Sequence, residues 1–191
     1  MKILLVAAVG LLLVVPASSE ERREPSISDA PVLSPAEKRA DELDRMFAKL
    51  RKPPSAAAVR IWELWAQSDS VTADILLQQS ARAIKDTQFV EARAMLDQLV
   101  SSRPSYAEAY NMRATLLFLQ DDYTGSLADL ARVLDLEPRH FGALSGRGMI
   151  YFEQGKDREA MQAFREALAI NPELEGVKAA VKDLEKRSPD I

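Results

Sequence analysis

The chain is expected to be all-α, a right-handed α-solenoid of helix–turn–helix repeats closed by a C-terminal capping helix. Three observations predict this. Pro104, Pro138 and Pro172 recur every 34 residues, and a fixed period of that size marks stacked supersecondary units. Within each period the apolar residues fall three and four apart in two successive sets, the spacing of two helices. Glycine is scarce, 7 of 191 residues, which favours helix over sheet.

Residues 1–19 read as a signal peptide. Lys2 supplies a positive start, Ile3 to Val15 is apolar apart from Gly10, Pro16 breaks the run, and Ala17-Ser18-Ser19 offers small residues for cleavage. The apolar run is 13 residues long, short of the roughly 20 that a spanning helix needs. Cleavage near Ala17–Ser19 would leave an exported, periplasmic chain with no membrane span; the competing reading is an uncleaved N-terminal anchor. The chain has no cysteine, so a lipid-acylated Cys, a disulfide and a thiolate metal ligand are excluded. Residues 20–35, with Pro25, Pro31 and Pro35 among charges and no period, read as a flexible linker.

Residues 36–70 are expected to form a worn helix pair of the same kind. Ser34 can cap its first helix with Pro35 in the first turn. Lys52-Pro53-Pro54-Ser55 ends that helix. Ala58, Trp62 and Trp65 fit the apolar positions of the second helix, and Met46 stands where the later pairs have a small residue. A degenerate unit at the end of a stack suits a cap.

Three better copies follow, at 71–104, 105–138 and 139–172. Counting back from each proline aligns Leu76, Tyr110 and Leu144, then the small residues Ser80, Ala114 and Gly148. Next come Ile84, Phe118 and Phe152, then a second small set, Ala92, Ser126 and Ala160. Leu96, Leu130 and Phe164, and Leu99, Val133 and Ala167, complete the columns. Facing small residues let two helix backbones approach and cross. The prolines are expected in the first turn of the next helix, and Lys85-Asp86-Thr87, Gln120-Asp121-Asp122 and Gln154-Gly155-Lys156-Asp157 mark the fold-back within each pair. A final amphipathic helix over 173–187, with Leu174, Val177, Val181 and Leu184 as its stripe, should cover the edge of the third copy.

Over about residues 71–172 this pattern resembles the tetratricopeptide repeat (TPR), a 34-residue helix–turn–helix unit, and the chain looks like a small exported bacterial member. The third copy carries the resemblance best, through Leu144, Gly148, Tyr151, Ala160, Phe164, Ala167 and Pro172. All copies share one departure: Gln79, Arg113 and Arg147 stand where the family prefers an apolar residue. They either ladder with carboxylates across the seam or snorkel to solvent.

The motifs of chemistry are missing. His140 is the single histidine and no Cys accompanies it, so an ordinary zinc site cannot be built; a turn or helix-start role is the plain reading. No Gly-x-Ser-x-Gly frames a serine. Gly142, Gly146 and Gly148 fall inside a helix rather than in a phosphate-binding loop, and Asp121-Asp122 lacks the further ligands of a calcium loop. No catalytic, cofactor or metal residue is expected. The balance of 25 basic and 29 acidic residues, net charge −4, also argues against nucleic acid.

The expected role is therefore a non-enzymatic scaffold that binds another protein or peptide in the cell envelope. By the resemblance, the first helix of each pair lines a concave groove. Its candidate residues are Leu77, Ala81 and Ile84, then Asn111, Thr115 and Phe118, then Ser145, Met149 and Phe152. Of the Lys, Asn and Arg types that the family uses to clamp a terminal carboxylate, only Asn111 is present, so a mixed apolar peptide or an amphipathic helix suits the groove better. The competing reading makes Ile84, Phe118 and Phe152 inter-helix core. Trp62 and Trp65, three apart on one helix face, are either core of the first pair or an aromatic patch that docks a partner. A homo-oligomer joined through its terminal helices is the second functional reading.

Overall fold

The computed structural model describes residues 33–50, 56–188 and 190; the expected signal segment and residues 20–32 of the linker lie outside them. The described residues form nine helices and no strand: α1 (Pro35–Leu50), α2 (Ala57–Trp65), α3 (Val71–Lys85), α4 (Phe89–Ser102), α5 (Ala107–Leu119), α6 (Tyr123–Leu136), α7 (Phe141–Glu153), α8 (Asp157–Ile170) and α9 (Glu175–Arg187). The architecture is an all-α solenoid in which α3/α4, α5/α6 and α7/α8 are the repeating pairs.

Each pair folds back through the same device. Thr87, Asp121 and Gly155 take left-handed backbone angles (φ 58°, 58° and 69°) in one column of the repeat. The following N–H then reaches back to close the first helix: Gln88 to the Ala83 carbonyl at 2.8 Å, Asp122 to Leu117 at 2.9 Å, Lys156 to Tyr151 at 2.9 Å. These are Schellman-type ends, which satisfy carbonyls the helix leaves orphaned. The small columns do what their size permits. The buried Ser126 hydroxyl donates to the Ala114 carbonyl of the facing helix at 2.8 Å. A Cβ on Gly148 would stand 2.5 Å from the Phe164 ring, so that ring rests on bare backbone.

The prolines sit one turn earlier than the sequence suggests. Helices α5, α7 and α9 have Tyr106, His140 and Leu174 as N-caps, so Pro104, Pro138 and Pro172 lie in the preceding turn. A Pro-containing turn ends one helix and aims the next without giving up a helical N–H.

The polar column resolves as ion pairs. Arg113 forks onto Asp129 of α6 with two bonds of 2.7 Å and reaches Asp97 of α4 at 2.8 Å, which joins the first two pairs across their seam. Arg147 pairs with Glu166 inside the third. Gln79 is exposed. At the far end α9 buries Val177 and Leu184 against Ala160, Met161 and Phe164, and Arg187 pairs with Asp157 at 2.9 Å while lying over the Phe152 ring.

The pair α1/α2 departs from the expected edge stacking. Ser34 and Glu37 do form a reciprocal capping box at the start of α1, with bonds of 3.2 and 2.7 Å. The pair does not, however, sit on the outer face of α3. Its apolar side, Phe47, Leu50, Ala57, Ile61 and Trp65, packs with Phe141, Ile170 and Leu174 of the third repeat and its cap. The reason lies in α3. Where α5 turns Ala109, Met112, Arg113 and Leu116 toward the preceding repeat, α3 offers Ile75, Gln78, Gln79 and Arg82, all exposed. A mostly polar face gives a preceding unit little apolar area to bury.

Candidate functional site

The hairpin α1/α2 runs along the starts of the first helices of the repeats. Three N-cap residues spaced by the repeat, Tyr106, His140 and Leu174, form its docking row. The Tyr106 hydroxyl donates to the Ala66 carbonyl at the end of α2, at 2.6 Å, and burial pushes this phenol well above the ordinary tyrosine pKa, with Asp74 and Glu108 adding to the effect. Leu174 packs against the cluster formed by Phe47, Leu50, Ile61, Trp65 and Phe141. On α1, Arg39 meets Asp69 at 3.0 Å, and Asp44 meets Arg139 at 2.7 Å; Arg139 also covers the Phe47 ring at 4.2 Å.

His140 is the centre of the row. It is fully buried. Its Nδ1 accepts the Ala143 N–H at 3.0 Å, capping α7, and its Nε2 lies 3.1 Å from Glu108. Accepting at Nδ1 assigns the ring proton to Nε2, which donates to the Glu108 carboxylate. The imidazole stacks on Trp65, centroids 3.9 Å apart and planes 13° from parallel. Trp62 meets His140 and Phe141 edge-on, each at 5.4 Å, and meets Trp65 at 5.2 Å. Gly142 is bare because a Cβ there would enter the Trp62 ring. The helix-start role for His140 therefore holds, in a buried aromatic cluster. Trp65 is core as one reading had it, and Trp62 is part-exposed; both pack on the third repeat rather than on a first-pair core alone.

Beyond Gly142 a cleft of about 140 Å³ opens between α5 and α7. Asn111, Thr115 and Phe118 line one side, Gly142, Gly146 and Met149 the other, and Ala114, Ser126, Leu130 and Ile150 the floor. Its polar atoms are partly committed: the Asn111 amide donates to Glu108 at 3.1 Å and the Thr115 hydroxyl donates to the Asn111 carbonyl at 3.0 Å. Met149 is exposed.

Four of the nine candidate groove residues thus come together: Asn111, Thr115, Phe118 and Met149. The others do not. Leu77 is buried in the core of the first repeat and Ile84 packs against it. Phe152 packs in the core under α9, and Phe118, although on the cleft wall, also packs against the second-repeat core. Ser145 turns its hydroxyl back to the Phe141 carbonyl at 2.7 Å. Ala81 is half-buried away from the cleft residues. The superhelical path explains this, since helix positions equivalent in sequence are not equally open once neighbours and caps are packed.

From the sequence Glu108 does not stand out, and Gly142 stands out only as a glycine inside a helix. The signal for them is the cap column: Tyr106, His140 and Leu174 are bulky where helix N-caps favour Ser, Thr, Asp or Asn, and such residues at repeat spacing mark a row that packs against something. Among the described residues no group of His, Asp and Glu is arranged to hold a metal, and no helix is long and apolar enough to cross a membrane.

Two family models, both described as tetratricopeptide repeat, match residues 77–135 and 142–174. A TPR repeat-containing protein of Rhizobium etli is 37% identical over 135 residues. That alignment covers 68% of this chain and 66% of the relative, just under two thirds of its length. Among solved structures, the first TPR of Spaghetti (RPAP3) bound to the HSP90 peptide SRMEEVD superposes with a TM-score of 0.59 at 19% identity, covering 62% of this chain and 94% of that one. MamA superposes with a TM-score of 0.57 at 18% identity, covering 83% and 87%. At these identities the two structures bear on the fold alone.

Proposed function

This chain belongs to the tetratricopeptide repeat family, a family of protein–protein interaction modules, and from that premise we propose that it is a non-enzymatic adaptor of the cell envelope. Its ligand is a mixed apolar peptide or amphipathic helix held in the cleft between α5 and α7. The observation that carries this reading is the cleft itself, where apolar Phe118 and the exposed Met149 stand beside the amide and hydroxyl of Asn111 and Thr115. Apolar walls with a few placed polar groups are the usual makeup of a recognition site. The RPAP3 neighbour holds an acidic peptide. Here an acidic side chain, Glu108, holds the Asn111 amide, which disfavours a ligand ending in a carboxylate. The envelope location rests on residues 1–19, and a matured chain beginning near Ser19 would support it.

The test is a photo-crosslinking amino acid placed at Met149 in the native host. It should trap a partner, and Asn111→Ala or Met149→Ala should weaken that partner's binding about tenfold or more, near the cost of one interface anchor, with far-UV circular dichroism unchanged. Trapping from the convex residue Val90 but not from Met149 would refute the cleft. The homo-oligomer reading draws on Val71 and Ile75, exposed on the outer face of α3. A strict monomer by sedimentation at high concentration removes it.

A further inference from the structure

The contact between α2 and the cap row has the form of a ligand in a receptor. The receptor is rigid and comes from the repeats: His140 is pinned on both nitrogens, Phe141 is fully buried, and Gly142 leaves a gap shaped for the edge of an indole. The ligand is one short helix with tryptophans three apart. Trp65 lies flat on His140 and Trp62 fits edge-on over Gly142. The fit is incomplete, because the Trp65 indole N–H is buried with no acceptor among the described residues. Such a group opposes its own burial. The hairpin also rests on ion pairs with exposed members, Asp44–Arg139 and Arg39–Asp69, which add little holding energy in water.

We infer that the rim formed by His140, Phe141 and Gly142 is a binding site for an amphipathic helix bearing two aromatic residues three apart, occupied in this structure by the chain's own α2. A partner helix of that chemistry competes with α2, and the hairpin α1/α2 is the element it displaces. This site adjoins the cleft at Gly142, which lines both, and it stands whether or not the cleft binds a peptide.

The probe is a fluorescein-labelled peptide carrying residues 56–66, added to the full chain. Trp62→Ala with Trp65→Ala empties the rim. The peptide should then bind at least about tenfold more tightly than to the parent, because the parent's apparent affinity is reduced by the fraction of chains with the rim free. Adding Gly142→Val to that double variant should abolish binding, and a peptide with both tryptophans replaced by alanine should not bind. Hydrogen exchange across α3–α9 confirms that the repeats stay folded. If the double variant does not fold, Gly142→Val alone decides the matter: tryptophan emission shifts to the red as α2 leaves the rim. Equal affinity for parent and double variant, binding that survives Gly142→Val, or unchanged emission in the Gly142→Val chain would each overturn the inference.

Discussion

The imidazole of His140 lies flat on the indole of Trp65, 3.9 Å between centroids, so a residue that caps the third repeat's first helix also anchors the hairpin that begins the described chain. The solenoid is thereby tied from its first end to its last by a contact outside the regular stack. The energetic and functional expectations for this chain divide along that line.

Trp65→Ala should cost about 3–5 kcal/mol, the range for removing a buried aromatic side chain. The loss should be local. Hydrogen exchange is expected to speed up over α1 and α2 while α4, α6 and α8 keep their protection, because the hairpin's apolar side belongs to a cluster apart from those that hold these three helices. Uniform loss of protection across all helices would show that the hairpin is part of one cooperative unit.

Arg113→Ala strands Asp129, a carboxylate only 6% exposed, without its two guanidinium bonds. Leaving one member of a buried pair behind is costly, and the expected loss is about 2–3 kcal/mol given the bond count to a charged group. Urea denaturation at 0.1 and 1 M salt checks it, with little change between the two since screening acts mainly on exposed pairs. Arg93→Ala is the control: its pair with Asp97 is nearly half exposed on both sides and should matter little.

Thr87→Gly should stabilise the chain by about 1 kcal/mol, since a β-branched residue at φ 58° is held in a conformation glycine adopts freely. The equivalent position in the third repeat is already Gly155. Thermal melting of the single variant against the parent reads the sign directly, and a lower midpoint would mean that the Thr87 hydroxyl bond to the Asp86 carbonyl outweighs the strain.

The buried Tyr106 phenol gives a pH signature. Burial raises its pKa in the folded chain above the value of about 10 that it has unfolded. The stability tied to the neutral phenol is therefore complete below pH 10 and is lost as pH rises from there toward the folded value, because the unfolded chain ionises first. The urea midpoint should fall more steeply above pH 10 in the parent than in Tyr106→Phe. Parallel slopes would show that the phenol is not buried in solution.

The repeat itself was readable in the chain. Helices recur because apolar residues recur at helical spacing, and the proline period with its small-residue columns states where two backbones must meet. The worn first pair was readable as helices but not in its place. Local pattern sets which residues a helix will bury, and a helix with a wide apolar face can bury it against any surface of matching size. Here the exposed Gln78, Gln79 and Arg82 of α3 declined that role, and His140, Phe141 and Leu174 took it.

The candidate groove shows the same limit. Asn111, Thr115, Phe118 and Met149 meet at one cleft, whereas Leu77, Ile84 and Phe152 hold equivalent sequence positions and are packed away. By itself the sequence determined the period, the helices and the residues able to pair them, since these depend on spacing along the chain. Only the tertiary structure decided that Trp65 rests on His140, that Gly142 must be bare and which stretch of the groove stays open. Those depend on surfaces brought together from distant segments, where the local spacing that dictates a helix carries no information about its partner.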